Sequence, residues 1–391
     1  MQGLKEIASS NVRDANDNFQ EGMNKFAEKM VRYFQEPKFN PNEFSIKELF
    51  QATVVDNPKN ATIDFGSKNN KTPIVEAVAA SVFPLITGSL INKYVMPAYE
   101  YSLEDVMSLV QESTTTCAPG TSDVIAGINS MPPLRKVNNG EKYAEGSFNE
   151  KNISVEIGKW GRIISLEMET IMSDKTGEIT RRASTMGDQM GAFLHRYIVE
   201  TITGQARNAL EEATSTAFVY GGSNLTSVLY SNDHSTVDGQ TNKNLSATSS
   251  IDTFESWNKA WELMSLQKDY TGEYIRVTPR VVMVNPLKAP RASQFVVDTQ
   301  EPTTGNNGSN YYSKLGLKVF SSPYVSSTNT DWFIGDPRKQ TILLWYKRPG
   351  VEFQGADSNS AFERDVIARF KPSLACGVGL MDYKYVVKCT A

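Results

Sequence analysis

The longest uninterrupted pattern in the sequence is helical. From Gly177 to Ala213 the chain runs for roughly 35 residues without a proline. Ile179, Ala183, Met186, Met190, Phe193, Tyr197 and Ile198 recur there at helical spacing, and the pattern continues through Ile202, Ala206, Ala209 and Ala213. At ~1.5 Å per residue such a rod would be about 50 Å long, whereas ordinary helices average about a dozen residues. A rod of that length serves as a spine, a coiled coil or a hub. The alternative is an ordinary core helix broken near Gly187 or Gly204.

Ahead of it the period changes to two. Ile153, Val155 and Ile157 share one strand face, while Ile164, Leu166 and Met168 have the opposite parity. Trp160-Gly161 lies between them, where glycine permits a bend. Upstream, Leu134 to Phe148 is charged and carries Asn139-Gly140 as a turn signal. The result is a hairpin with six basic and four acidic residues between Leu134 and Arg162. A two-stranded ribbon is marginal alone, so this one is expected to pack on another chain.

The N-terminal region is polar and asparagine-rich. Phe19, Met23, Phe26, Met30 and Tyr33 form one helical stripe that ends before Pro37. Phe39 to Lys71 mixes Asn, Pro and Lys with isolated apolar residues, and reads as an extended arm needing a neighbouring surface. Ile74 to Ile91 is the most lipid-like stretch, but Glu76, Pro84 and Gly88 interrupt it. It is expected to be buried or interfacial, not membrane-spanning.

Beyond the long helix, Phe218 to Thr253 has the Ser, Thr, Asn and Gly content of a surface loop. Phe254, Trp257, Trp261 and Met264 then mark an amphipathic helix, with Asp252 and Glu255 at capping-box spacing. Arg280 to Asn285 reads as a short buried strand, and Leu287 to Asp298 as a helix. Strand signals follow at Leu317–Phe320, Asp331–Asp336, Thr341–Tyr346, Val366–Phe370 and Leu380–Val387. Helices and strands without regular alternation indicate an α+β fold.

Chemistry is hard to place. The chain has only two histidines, His195 and His234, and neither has metal-ligand spacing to a second ligand, so both are read as packing or loop-capping groups. The three cysteines, Cys117, Cys376 and Cys389, suit neither a disulfide framework nor a metal site. Gly377-Val-Gly379 lacks the third glycine and the strand-to-helix context of a dinucleotide fingerprint. Glu167 and Glu169 share a strand face, as pairs do in any chain with 44 acids. Neither a catalytic set nor a cofactor or metal site is expected. The net charge of −4 excludes a broadly basic nucleic-acid binder.

The order of these parts resembles the major capsid protein of tailed phages, with the Hong-Kong-97-type fold, and within that group the Mu-type head subunits. The resemblance covers roughly residues 130 to 391. It is carried by Leu229-Tyr-Ser-Asn-Asp-His-Ser235, Leu245-Ser-Ala247, the Trp257/Trp261 helix, Asp269-Tyr-Thr-Gly-Glu273 and Thr278-Pro-Arg-Val-Val-Met-Val-Asn285. Further on it is carried by Asn306-Asn to Asn310-Tyr-Tyr312, Leu317-Lys-Val-Phe320 and Thr330-Asp-Trp-Phe-Ile-Gly-Asp336.

What the resemblance implies is a division of labour. Residues 1–72 would be an N-terminal arm, 73–131 its entry into the peripheral domain, and 132–168 an extended loop lying over an adjacent subunit. Residues 169–215 and 341–372 would form the peripheral domain around the spine helix, and 216–340 with 373–391 the axial domain. The chain would build an icosahedral shell of pentamers and hexamers around double-stranded DNA. Portal, scaffold and decoration or cement proteins would be its partners, in a virion assembled in the host cytoplasm. Because it begins at Met1, it is expected to keep its N terminus and use a separate scaffold, or none. Lys136, Lys142 and Lys151 lack a matching Asn-Glu set, so assembly is expected to be non-covalent. The expected contact residues are Arg135, Lys142, Glu145, Lys151, Trp160 and Arg162 on the hairpin, and Phe26 and Tyr33 on the arm. The rivals are an encapsulin-like cargo compartment and a carbohydrate-binding or carbohydrate-processing protein using Glu167, Glu169 and Trp160.

Overall fold

The computed structural model describes residues 27–29, 31–32, 50–51, 54, 83–128, 134, 136–143, 150–167, 178–204, 219–220, 227–235, 241–247, 249–269, 272–300, 308–326, 330–354 and 366–391. Four principal helices occur among them: α1 (Phe83–Leu103), α2 (Glu178–Thr203), α3 (Phe254–Ser265) and α4 (Ala289–Val297). The strands of the first half are β1 (Gln111–Thr114), β2 (Ser122–Ile128), β3 (Glu150–Glu156), β4 (Gly158–Gly161) and β5 (Ile164–Glu167). Five two-residue strands follow: β6 (Val219–Tyr220), β7 (Ser227–Val228), β8 (His234–Ser235), β9 (Thr241–Asn242) and β10 (Leu245–Ser246). The last six are β11 (Val281–Val284), β12 (Lys318–Ser321), β13 (Asp331–Gly335), β14 (Thr341–Gln354), β15 (Val366–Leu380) and β16 (Val386–Thr390). This is the expected α+β class.

The chain divides into two units. One comprises Met1–Leu103, Lys159–Ala192 and Arg348–Leu374; the other comprises Glu104–Gly158, Phe193–Lys347 and Ala375–Ala391. In the first, α1 buries Ile86, Leu90, Val95, Tyr99 and Leu103, although Pro97 removes one of its own backbone donors. Its partner is the N-terminal part of α2, and two glycines set the distance. A Cβ at Gly187 would lie 2.2 Å from the Val95 carbonyl oxygen, and one at Gly191 would lie 2.4 Å from the Ser102 Cβ. Gly187 therefore does not break the helix; it lets α1 approach. β5 pairs antiparallel with the start of β15, matching Ile164 to Phe370 and Glu167 to Val366.

Several expectations need correction here. Phe50, Gln51 and Val54 are helical, and Phe50 and Val54 are buried, so the arm is not extended at that point. Two apolar residues four apart are enough to seat one helical turn. Helix α2 has 26 residues, about 39 Å at ~1.5 Å per residue, not the expected 50 Å. It ends at Gly204, whose φ of +67° is left-handed. There the Tyr230 hydroxyl donates to the Ile202 carbonyl at 2.6 Å and holds one of the last orphan acceptors. The expected continuation through Ala206, Ala209 and Ala213 lies outside the described residues.

The second unit holds a five-stranded sheet in the order β10-β16-β13-β11-β12. β13 runs antiparallel to β11 and β16, and β12 lies parallel to β11. Helices α3 and α4 cover this sheet, with Trp257 at the centre: its ring lies 4.9 Å from Phe295, 5.2 Å from Trp332 and 5.3 Å from Tyr312. Every polar handle in the cluster is used. Trp257 Nε1 donates to the Ile251 carbonyl, Trp332 Nε1 to the Ser249 carbonyl, and the Tyr312 hydroxyl to Asn258 Oδ1. Asn310, fully buried, donates to the Phe295 and Asp298 carbonyls at the end of α4. The capping box is absent. Thr253 is the N-cap of α3, Glu255 pairs with Lys259, and Asp252 instead accepts from Lys288 Nζ at 2.8 Å. That ammonium holds the Asp252 carboxyl below its ordinary pKa.

Candidate subunit interface

The hairpin is built by β2 and β3, antiparallel over seven residues from Ser122↔Glu156 to Ile128↔Glu150. Bonds from Gly120 N–H to the Ile157 carbonyl and from Ile157 N–H to the Thr121 carbonyl extend the ladder at its base. The hairpin thus begins ten residues before the expected Pro132. Its first strand, Ser122-Asp-Val-Ile-Ala-Gly-Ile128, carries no alternating signal, because its apolar residues fall on both parities. The face read from Ile153, Val155 and Ile157 is real: Val155 and Ile157 are buried, and Ile153 and its cross-strand partner Ile125 are half-buried.

The base does not wait for another chain. Val155 and Ile157 pack on Ile342 and Leu344 of β14, with Ile125, Ile153, Cys117 and Met381 around them. β15 makes room with two glycines on one side of the strand. A Cβ at Gly377 would lie 2.4 Å from the Glu156 carbonyl oxygen, and one at Gly379 would lie 2.2 Å from Val155 Cγ2. The Gly-Val-Gly stretch is therefore a clearance for the ribbon crossing it. This corrects the expectation that the whole ribbon depends on a neighbouring chain.

The distal end differs. Asn138 and Glu141 close a tight turn: Glu141 N–H donates to the Asn138 carbonyl at 3.0 Å, and Asn138 N–H to Glu141 Oε2 at 3.1 Å. Gly140 takes a φ of +85° inside it, the conformation that Asn139-Gly140 signals. On either side, Leu134 is 95 % exposed and Tyr143 79 % exposed. Large apolar side chains held in water on a ribbon tip are what a protein contact removes.

The expected contact residues are scattered. Lys142 is exposed beside that turn, and Lys151 stands on β3 opposite Gly127. Trp160 and Arg162, expected on the hairpin, are not part of it. Trp160 is half-buried on β4, the strand beside β15, and Arg162 is exposed just after it, with its N–H on the Pro372 carbonyl. The chain leaves the ribbon after Ile157, and at Gly161, the end of β4, a Cβ would meet the Pro372 oxygen at 2.9 Å. Arg135, Glu145, Phe26 and Tyr33 lie outside the described residues, as does Glu169. Glu167 is exposed on β5, paired in the ladder with Val366.

Both histidines are structural. His195 Nε2 lies 2.9 Å from Ser322 Oγ, with its ring against Phe320 and Tyr324. His234 is buried, its Nε2 2.9 Å from Asn244 Oδ1 and its ring stacked on Tyr383 at 3.8 Å. Burial lowers the pKa of each. Among the described residues no cluster of His, Cys, Asp and Glu is arranged to hold a metal ion, and no helix is long and apolar enough to cross a membrane.

Comparison with curated proteins finds no match. Among solved structures, the chain is similar to the capsid of the cyanophage P-SCSP1u, at 10% identity over 73% of this chain and 87% of that one, with a TM-score of 0.47. It is similar to a structure from Mycobacterium phage Adephagia, at 15% identity over 73% and 89%, with a TM-score of 0.46. A third is the capsid of a native GTA particle, at 9% identity over 73% and 89%, with a TM-score of 0.48. The family model described as "Phage capsid protein" matches residues 150–389, well over half of the sequence, from the ribbon's return strand to the end of β16. A body that covers itself, bearing a ribbon that does not, is thus the build of a shell subunit, and the chain belongs to the phage capsid protein family.

Proposed function

We propose that the chain is the major head subunit of a tailed double-stranded DNA phage, with a Hong-Kong-97-type arrangement of the Mu-type kind. The observation that carries this reading is the two-part hairpin: its base is seated on β14 and β15, and its tip presents Leu134 and Tyr143 to water. In a shell the tip would lie on an adjacent subunit, with Lys142 on its rim. Obligate interfaces run to about 2,000–5,000 Å² or more, and a projecting ribbon enlarges the contact without enlarging the core. The five-stranded sheet with α3 and α4 would be the axial part, residues 216–340 and 373–391. Helix α2 with the outer halves of β14 and β15 would be the peripheral part, residues 169–215 and 341–372. Portal, scaffold and cement proteins would be its partners, and assembly would take place in the host cytoplasm.

The test is expression of the full chain and electron microscopy of the product. Wild type is expected to form closed shells. A Leu134→Ser, Tyr143→Ser double variant is expected to remain folded but unassembled. Shells of normal yield from that variant would refute the role of the ribbon tip.

A further inference from the structure

The turn at the ribbon tip holds a chemically labile pair. Asparagine is a thermolabile residue, and a following glycine leaves its side-chain amide open to the next backbone nitrogen, because glycine brings no Cβ to block the approach. The sequence has two Asn-Gly pairs, Asn139-Gly140 and Asn307-Gly308. Asn307 lies outside the described residues, whereas Asn139 and Gly140 are both exposed. Nothing lies within 4 Å of the position that a Gly140 Cβ would take. Among the described residues, neither the Asn139 side chain nor the Gly140 N–H has a hydrogen-bond partner. The bonds described in the turn pass over both residues. They join Asn138 to Glu141 through the backbone at 3.0 Å, and Asn138 N–H and Nδ2 to Glu141 Oε2 at 3.1 and 3.2 Å. An exposed turn held this locally belongs to the low end of a protein's local stability and opens readily.

We propose that Asn139 is a site of spontaneous deamidation that retires subunits left unassembled. In the opened turn the Gly140 backbone nitrogen gives up its proton and attacks Asn139 Cγ. The N–Cγ bond forms, the Cγ–Nδ2 bond breaks, and Nδ2 leaves as ammonia with that proton, so that a succinimide ring remains. Water then opens the ring. Opening at Cγ gives aspartate, a new carboxylate two residues from that of Glu141, and like charges so close repel. Opening at the backbone carbonyl gives isoaspartate, whose main chain runs through Cβ and Cγ. That lengthens the turn by one atom, and the Asn138–Glu141 bonds lose their geometry. Either product alters the turn between Leu134 and Tyr143. The chemistry stands by itself. Its suppression in a shell rests on the capsid reading, in which a neighbouring copy covers the tip and holds the turn shut.

The test follows the full chain, kept below its assembly concentration at neutral pH, beside the synthetic peptide Val137-Asn-Asn-Gly-Glu-Lys-Tyr143. Peptide mass mapping reads the replacement of NH2 by OH at Asn139, and labelling by an isoaspartyl methyltransferase reads the rearranged product. Wild type is expected to react about fivefold more slowly than the peptide, the protection that such hydrogen bonds give. Glu141→Ala is expected to raise the rate to that of the peptide. Asn139→Gln is expected to stay unreacted, because its ring closure is larger and slower. Aged wild type is expected to lose shell yield in step with conversion, while aged Asn139→Gln keeps it. Assembled shells are expected to convert at least about tenfold more slowly than free subunits. An Asn139 that outlasts the peptide about a hundredfold, Glu141→Ala at the wild-type rate, full shell yield from converted subunits, or shells converting as fast as free subunits would overturn the proposal and leave the capsid reading standing. Wild type that makes no shells would overturn the capsid reading, and the time course of the free chain would still decide the chemistry at Asn139.

Discussion

The aromatic body of the second unit and the ribbon beside it solve opposite problems. Three large rings, Phe295, Trp332 and Tyr312, lie about 5 Å from that of Trp257, and each ring N–H or hydroxyl among the four has an acceptor within the same unit. Among the described residues, the ribbon buries its base, while Leu134 and Tyr143 at its tip stay in water. One chain thus contains a part whose apolar surface is covered internally and a part that, on the proposed reading, a neighbouring copy would cover. This difference predicts that folding and assembly can be mutated separately.

The largest effect is expected at the body. Trp257→Ala should cost about 3–5 kcal/mol, as truncation of a fully buried aromatic does, and should abolish assembly through loss of fold. Urea unfolding of the unassembled subunit measures it. The tip variant Leu134→Ser with Tyr143→Ser should leave that unfolding curve unchanged. Equal shifts for the two variants would erase the distinction between the regions.

The glycine clearances come next, and their sign is diagnostic. In an open helix, Gly→Ala stabilises by about 1 kcal/mol. At Gly187 the added methyl would enter the Val95 carbonyl, and at Gly379 the side chain of Val155. Both substitutions are expected to destabilise, by about 1–3 kcal/mol, as overpacking does. Gly379→Ala should additionally loosen the ribbon base, seen as faster amide exchange in β3. Stabilisation at either position would refute the close approach there.

The body was the more legible part of the sequence. The stripe of Trp257 and Met264, the apolar run Val281–Val284 and the strand at Asp331 declare themselves in the local pattern, because each buries a run or face of apolar residues that is contiguous in its own element. The long strands were read short. Thr341–Tyr346 was visible as a continuous apolar run, but β14 continues through Pro349-Gly350 to Gln354, where burial alternates and the run ends. β15 continues past Phe370 through two glycines that carry no strand signal of their own. Their reason is the ribbon crossing above them, a contact between residues some 220 positions apart that no local pattern records. The candidate interface was legible as a hairpin and a turn, but Trp160 and Arg162 were assigned to it because parity cannot show where a strand leaves its ribbon.

The two histidines sharpen the comparison through pH. Burial lowers the pKa of each, against Asp105 at His195 and against the Asn244 hydrogen bond at His234. An unfolded histidine takes a proton near pH 6.5, while these two remain neutral to lower pH. Below about pH 6.5 the unfolded chain therefore binds more protons, and stability is lost as the pH is lowered, by at most about 1.4 kcal/mol per pH unit for each histidine. The loss levels off once the folded state also protonates. Both residues lie in the body, so the unfolding midpoint should drop between pH 6.5 and 5, and His195→Gln with His234→Gln should flatten that slope. An unchanged slope in the double variant would assign the acid sensitivity elsewhere.

The smallest effect belongs to the ribbon tip. Gly140 holds a φ of +85°, with open space around the position of a Cβ, so Gly140→Ala meets only the backbone penalty of the left-handed region, about 1 kcal/mol. The body does not share that strain, because the bonds described in the turn run between Asn138 and Glu141. Global unfolding should therefore stay within error of wild type, while the concentration needed for assembly rises about five-fold, which is ~1 kcal/mol expressed in an equilibrium constant. Light scattering against subunit concentration measures that threshold. A shifted unfolding midpoint with an unchanged threshold would place the tip's stability in the body and collapse the division between the two regions.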